Sequence, residues 1–227
     1  MSIVAQGLKR VILPVAVLLG VMVVLGLLVT KVFNQDWPLT AEDSINRELA
    51  GDRTESWSAV SFFFSTLAST PVIIAVTAVI AIILRLTLHR WREPLFLCAA
   101  VAAQAIVFFF ATLIIDRGRP EVPKMDESPP TSSFPSGHTS AAVALYTGLA
   151  LLLALMARRT WLKALAWALI LVPIAVALSR LYRGMHHPSD VLASFLNGAA
   201  CVILMARAVL DRSVQWGRSR LPTGVAS

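Results

Sequence analysis

The sequence predicts an all-α integral membrane bundle of six transmembrane helices. Three observations carry that expectation. Hydrophobic residues make up 57% of the 227 and charged residues only 15%, with a mean hydropathy of +0.73. Soluble domains run about 45–50% apolar and about 25% charged, so a water-soluble globule of this composition would lack the polar surface to cover itself. Disorder is excluded as well, because there is ample apolar surface to offset the entropy of ordering. Six apolar runs follow one another, each near the ~20 residues that a helix needs to cross the hydrocarbon core. Lastly, the basic residues behind the formal net charge of +7 are distributed unevenly among the segments between the runs, which is a topology signal in membrane proteins.

The first run, residues 11–32, follows Lys9 and Arg10 without a small-residue cleavage site, so it reads as a retained helix rather than a signal peptide. Residues 33–57 are mostly polar. Within them Leu39, Ile45 and Leu49 are loosely spaced for one helical face, Thr40 is placed to cap, and Trp37 and Trp57 flank the stretch. That pattern fits a short helix lying in the headgroup region, and equally an ordinary solvated loop. The second run, 58–84, carries Ser61, Ser65 and Ser69 at a spacing of four. Small polar residues on one face let membrane helices pack closely, with a lipid-lining groove as the second reading. The remaining runs are 94–115, 139–157, 162–182 and 190–210. Cys98 and Cys201 both fall inside apolar runs and read as small buried residues, without ligand spacing or a disulfide framework. A single domain over residues 1–227 suffices, with no internal repeat.

With the N-terminus in the cytoplasm, 12 Lys and Arg residues fall on the cytoplasmic side and 8 on the other. The positive-inside rule favours that orientation, with both termini cytoplasmic in a plasma or inner membrane. It also explains the basic balance without nucleic acid, which is not an expected partner.

Charged and imidazole groups near a membrane cost free energy and tend to be functional. His89 lies in a short basic cytoplasmic loop. The other three histidines, His138, His186 and His187, lie on the outer side at the starts of runs, while Arg117, Arg119, Arg180 and Arg183 lie at the ends of runs. Arginine forks match phosphate oxygens in pairs and stay charged. Phe134 to Ser140 opens the fourth run, where free backbone N–H groups and the positive helix end make an anion site. Gly137 permits close backbone approach and Ser136 adds a hydroxyl donor. His186 and Asp190 stand four apart. Across one helical turn the carboxylate can accept one imidazole N–H and leave the other nitrogen as a nucleophile, and His138 can protonate a leaving oxygen. His187 has no carboxylate at i+4 and reads as a rim residue. No His-x3-His pair, cysteine ligand or carboxylate cluster suits a metal, so no metal and no cofactor are expected.

These residues resemble the type 2 phosphatidic acid phosphatase superfamily, which spans lipid phosphate phosphatases and vanadium haloperoxidases. Its three blocks are Lys-x6-Arg-Pro, Pro-Ser-Gly-His and Ser-Arg-x5-His-x3-Asp. This chain has Arg119-Pro120, then Pro135-Ser136-Gly137-His138, then Ser179-Arg180 followed by His186 and Asp190. The resemblance covers about residues 94–210. It departs at one place, because the first-block lysine falls at Thr112. Arg117 is the candidate replacement and Lys124 a weaker one; otherwise the site prefers another phosphate or turns over more slowly.

The resemblance implies that Arg119, Arg180, Ser136, Gly137 and Arg117 hold phosphate. It implies that His186, oriented by Asp190, attacks phosphorus to form a phosphohistidine, and that His138 protonates the leaving group and then activates water. The expected activity is metal-independent hydrolysis of a lipid phosphate or diphosphate on the non-cytoplasmic side. Undecaprenyl or related polyprenyl diphosphate and phosphatidylglycerol phosphate lead as substrates, followed by phosphatidic acid. The expected partners are that lipid phosphate and the surrounding membrane lipids. A non-catalytic lipid-phosphate binder or transporter on the same frame is the alternative reading, kept alive by Thr112. A vanadate haloperoxidase is the third, disfavoured by six spans and a short chain.

Overall fold

A run of apolar residues in a bilayer can satisfy its backbone polar groups only internally, so each becomes a helix. In a computed structural model that describes residues 6–33, 36, 39–127 and 130–211, six helices are long and apolar enough to cross a membrane. They are α1 (Leu8–Val32), α4 (Thr70–Leu88), α5 (Arg92–Ile114), α6 (Gly137–Met156), α7 (Thr160–Tyr182) and α8 (Pro188–Leu210). Two further helices, α2 (Glu42–Gly51) and α3 (Glu55–Leu67), lie between α1 and α4. The chain is a multi-pass membrane protein.

The expected second run divides in two. Ser69 is extended and caps α4, and Pro71 occupies the first turn of that helix. Proline has no N–H to donate to a preceding turn, so it starts α4 rather than continuing α3. The serines at spacing four consequently point elsewhere. Ser61 and Ser65 form the buried face of α3, which packs along α7, while Trp57, Phe62 and Phe63 are exposed. The hydroxyl of Tyr146 on α6 donates to the carbonyl of Leu67 at 3.3 Å, which fixes the far end of α3 two turns down α6.

Residues 33–57 contain a helix after all. Glu42 and Asn46, one turn apart, are the buried face of α2, and Ile45 is exposed. Trp37, expected to flank this stretch, lies outside the described residues, as do the basic Arg212, Arg218 and Arg220. Of the two cysteines only Cys201 is buried; Cys98 is exposed on α5.

Helix α6 is central, with 67% of its most apolar window buried, against 17% for α1 and α4. It packs against α5, α7 and α8. The α6–α8 contact is close because Gly198 has no side chain: a Cβ there would lie 2.6 Å from Val143 and 2.8 Å from the carbonyl of Ser140. The main core is drawn from α1, α4, α5, α6 and α8, with Met22, Phe96, Leu97, Val107, Leu145 and Met205 fully enclosed. Successive crossings bring the end of α5, the start of α6, the end of α7 and the start of α8 to one end of the bundle, beside α2 and α3.

Candidate active site

That shared end gathers the unusual residues. Ser136 caps α6: its hydroxyl accepts from the Thr139 hydroxyl at 3.1 Å and, at 3.5 Å, from the Thr139 amide. Its own amide donates to the Ser194 hydroxyl on α8 at 2.7 Å, so the cap is tied across the bundle. Gly137 follows, beneath Phe108. A Cβ at Gly137 would lie 2.8 Å from the Phe108 ring, so only glycine lets this turn stay where it is. His138 is on the next position of α6, within electrostatic reach of Arg180, His186, Asp126 and Arg119.

His186 is 4% exposed, in the short turn between α7 and α8. Its Nδ1 lies 2.7 Å from the carbonyl oxygen of Ser133 and 3.8 Å from Oδ2 of Asp190. A carbonyl can only accept, so Nδ1 carries the proton and Nε2 holds the lone pair. The expected carboxylate-to-imidazole hydrogen bond is therefore replaced by a backbone carbonyl, because the 130–136 segment folds back over the start of α8. At 3.8 Å Asp190 acts on His186 as a charge rather than as an acceptor. Burial lowers the His186 pKa from its ordinary value; Asp190 pulls it up, while Arg180 and Arg119 push it down, and the net direction is down.

Asp190 is fully buried and its oxygens are occupied. Oδ2 accepts from the Ser133 hydroxyl at 2.9 Å and from the His187 amide at 2.8 Å, with His187 Nδ1 at 3.3 Å. Oδ1 accepts from Nη1 of Arg117. His187 is thus the residue that opens α8, and it lies at the rim near Asp43.

The arginines divide into two kinds. Arg119 donates through Nη1 to the carbonyl of Met185 at 2.8 Å, and its buried Nε–H has no partner among the described residues. Arg180 donates through Nη1 to the Ser65 hydroxyl and to Oδ2 of Asp126, both at 2.6 Å, and its buried Nε–H likewise has no partner among the described residues. Each guanidinium is anchored at one corner and open along its Nε edge. The other two are engaged at more than one corner. Arg183 grips Asp126 from Nε at 2.9 Å and Nη2 at 2.6 Å, and donates to Ser61 at 3.1 Å. Arg117 donates to Glu42 at 2.7 Å, to Ser189 at 2.7 Å and to Asp190, so both of its terminal nitrogens are directed at protein acceptors.

The residue standing for the first-block lysine, Thr112, returns its hydroxyl to its own helix at Phe109, 2.8 Å away. Lys124 is exposed in the 115–136 loop. Among the described residues, no group of three His, Cys, Asp or Glu side chains is disposed to hold a metal ion. A polar cavity of about 290 Å³, lined by Thr30, Glu42, Asp43, Arg119, Glu121 and His187 among others, opens beside Arg119.

Sequence reasoning missed Glu42, Asp126, Ser133 and the arginine-holding role of Ser61 and Ser65. The surplus of acidic residues on the outer side was the available signal for the two carboxylates.

The family model of the PAP2 superfamily matches residues 93–213, more than half of the chain. The chain belongs to the PAP2 superfamily. Its fold is that of solved PAP2 proteins. The crystal structure of a transmembrane PAP2-type phosphatidylglycerolphosphate phosphatase from Bacillus subtilis aligns with a TM-score of 0.73, at 20% identity, over 90% of this chain and 98% of that one. The crystal structure of Aquifex aeolicus LpxE aligns at 0.59, with 22% identity, over 72% of this chain and 93% of the other. All six site residues outside the first block, Ser136, Gly137, His138, Arg180, His186 and Asp190, lie within the matched span, as do Arg117 and Arg119.

Proposed function

We propose that this PAP2 protein hydrolyses a lipid phosphate or diphosphate without a metal, through a phosphohistidine, at the non-cytoplasmic face. One observation carries the reading: two arginines, half-buried Arg119 and buried Arg180, each fixed at one corner with a buried Nε–H that has no partner among the described residues, beside two histidines. A buried donor left unpaired costs about 1–3 kcal/mol, and phosphate oxygens are the acceptors that arginine edges fit.

In this mechanism Arg119, Arg180, the Ser136 hydroxyl and the backbone at Gly137 hold the three non-bridging oxygens and stabilise their transition-state charge. Nε2 of His186 attacks phosphorus while Nδ1 keeps its proton, donated in a hydrogen bond to the Ser133 carbonyl. Asp190 stabilises the positive ring that forms. His138 gives its proton to the leaving oxygen, then takes one from the water that hydrolyses the N–P bond. Arg117 serves as a clamp on Asp190 rather than as a phosphate ligand.

Polyprenyl diphosphate and phosphatidylglycerol phosphate are the favoured substrates. The Bacillus subtilis neighbour, itself a phosphatidylglycerolphosphate phosphatase, supports the second. The outward-facing site is supported by the 12 to 8 distribution of Lys and Arg.

The test is phosphate release from a panel of lipid mono- and diphosphates by purified protein in detergent with a chelator. Release by the wild type and none by His186→Ala is the expected result. A requirement for added divalent metal overturns the mechanism. Binding without release from any member overturns the enzyme and favours the binder that Thr112 kept open.

A further inference from the structure

Glu42 is a carboxylate brought to the edge of a site built for anions, which needs explaining. It is 5% exposed and lies in the first turn of α2, outside the six crossing helices. Its Oε1 accepts the Ser189 amide at 2.6 Å, one of the free N–H groups at the start of α8. Its Oε2 accepts from the Ser189 hydroxyl at 3.1 Å and from Nη2 of Arg117 at 2.7 Å. From the opposite corner of the same guanidinium, Nη1 reaches Ser189 at 2.7 Å and Oδ1 of Asp190. Arg117 is therefore a bridge between two buried carboxylates, one on α2 and one beside the attacking histidine.

We propose that Glu42 and Arg117 are positioning residues, through which α2 sets the carboxylate of Asp190 for catalysis. The inference rests on the reading of His186 and Asp190 given above. Asp190 has three groups on Oδ2 and only Arg117 among the described partners of Oδ1, so Arg117 fixes the carboxylate plane. Glu42 in turn decides where Arg117 points. Without Glu42 the guanidinium has a free edge, and the nearest unmet demand for a cation is the substrate phosphate. Glu42 thus keeps Arg117 on the carboxylate and out of the phosphate subsite, where a third arginine would hold substrate and product too tightly.

The experiment is steady-state kinetics of Glu42→Gln, Arg117→Met and the double variant in detergent, normalised to the folded fraction from thermal unfolding. Displacing a catalytic group by about 1 Å can cost on the order of 100-fold in rate. The expected result is a kcat at least about 10-fold lower for each single variant, with KM unchanged or lower for Glu42→Gln, as for groups felt only in the transition state. The double variant is expected to fall no further than Arg117→Met. A rise in KM for Arg117→Met with kcat intact would make it a phosphate ligand and overturn the proposal. So would a multiplicative loss in the double variant, or a kcat loss that vanishes on normalisation. His186→Ala run alongside keeps the two readings apart, because wild-type activity in that variant defeats the phosphatase mechanism itself.

Discussion

The imidazole of His186 donates its Nδ1 proton to the backbone carbonyl of Ser133 at 2.7 Å, while the carboxylate of Asp190 stands off at 3.8 Å. A carbonyl sets the tautomer as firmly as a carboxylate does, and no side-chain substitution removes it. Tautomer and electrostatics are therefore separable here. In a serine protease, where one aspartate does both, amidating it costs about 10⁴-fold because the wrong tautomer forms. Asp190→Asn should cost less in this protein, on the order of 100-fold in kcat, with Nε2 still presenting its lone pair. A loss as large as that of His186→Ala, in the same phosphate-release assay, would show that Ser133 does not hold the ring.

The pH dependence follows from the environment of His186. Burial, with Arg180 and Arg119, lowers its pKa against the pull of Asp190, so the neutral form persists to lower pH than for a free histidine. The nucleophile must be neutral. Activity should accordingly survive as pH falls through the ordinary histidine value of about 6.5 and be lost only below it. The profile to measure is kcat at saturating substrate, because the second ionisation of a free phosphate ester, near pH 6, enters kcat/KM. Asp190→Asn removes the one raising influence and should move the acid limb lower still.

Asp126 joins Arg180, whose Nε edge is open, to Arg183, whose Nε is engaged. Burial raises the pKa of its carboxyl, but hydrogen bonds and charge from Arg183 and Arg180 outweigh this and hold it below the ordinary value. A folded-state pKa below the unfolded one contributes stability above about pH 4, which is lost as pH falls through the folded value. Asp126→Asn should lower stability in detergent by about 1–3 kcal/mol at neutral pH, less than for a fully buried pair because the carboxylate keeps some solvent. The difference from wild type should close as the pH is lowered below 4. Thermal unfolding at a series of pH values checks both statements, and a difference that widens in acid would reverse the sign.

Gly137 sets a steric prediction. A methyl group there meets the Phe108 ring at 2.8 Å, so Gly137→Ala must push the ring or the α6 turn aside. The overpacking should cost about 1–3 kcal/mol of stability and weaken phosphate binding. Phe108→Leu in the same chain should recover part of the activity. Unchanged activity of Gly137→Ala alone would mean that the backbone here does not touch the substrate.

Much of this protein is legible in its residues one element at a time. The six crossings stand out because apolar runs of that length have no other outcome in a bilayer, and Ser136, His138, Arg180 and His186 announce themselves by type and spacing. What escaped depends on long-range geometry. Glu42 and Arg117 are 75 positions apart and Asp126 and Arg183 are 57 apart, and neither carboxylate differs in sequence from an ordinary loop acid. Ser133 acts through its carbonyl, a group every residue has. The break at Ser69 hid inside an unbroken apolar run, where only Pro71 signalled it.

The pairing of carboxylates with arginines has a kinetic consequence. Arg117, Arg180 and Arg183 are paired with Glu42, Asp126 and Asp190 at the same end of the bundle as Arg119. The fields of closely paired opposite charges largely cancel at a distance, and salt screens what remains beyond about one Debye length, near 8 Å at physiological ionic strength. A phosphate drifting in bulk water is thus scarcely drawn in, and only one already delivered to contact distance meets the open arginine edges. Under the proposed function, encounter is left to diffusion within the bilayer, so the capture rate should be nearly indifferent to added salt. An electrostatically steered enzyme, by contrast, slows steeply.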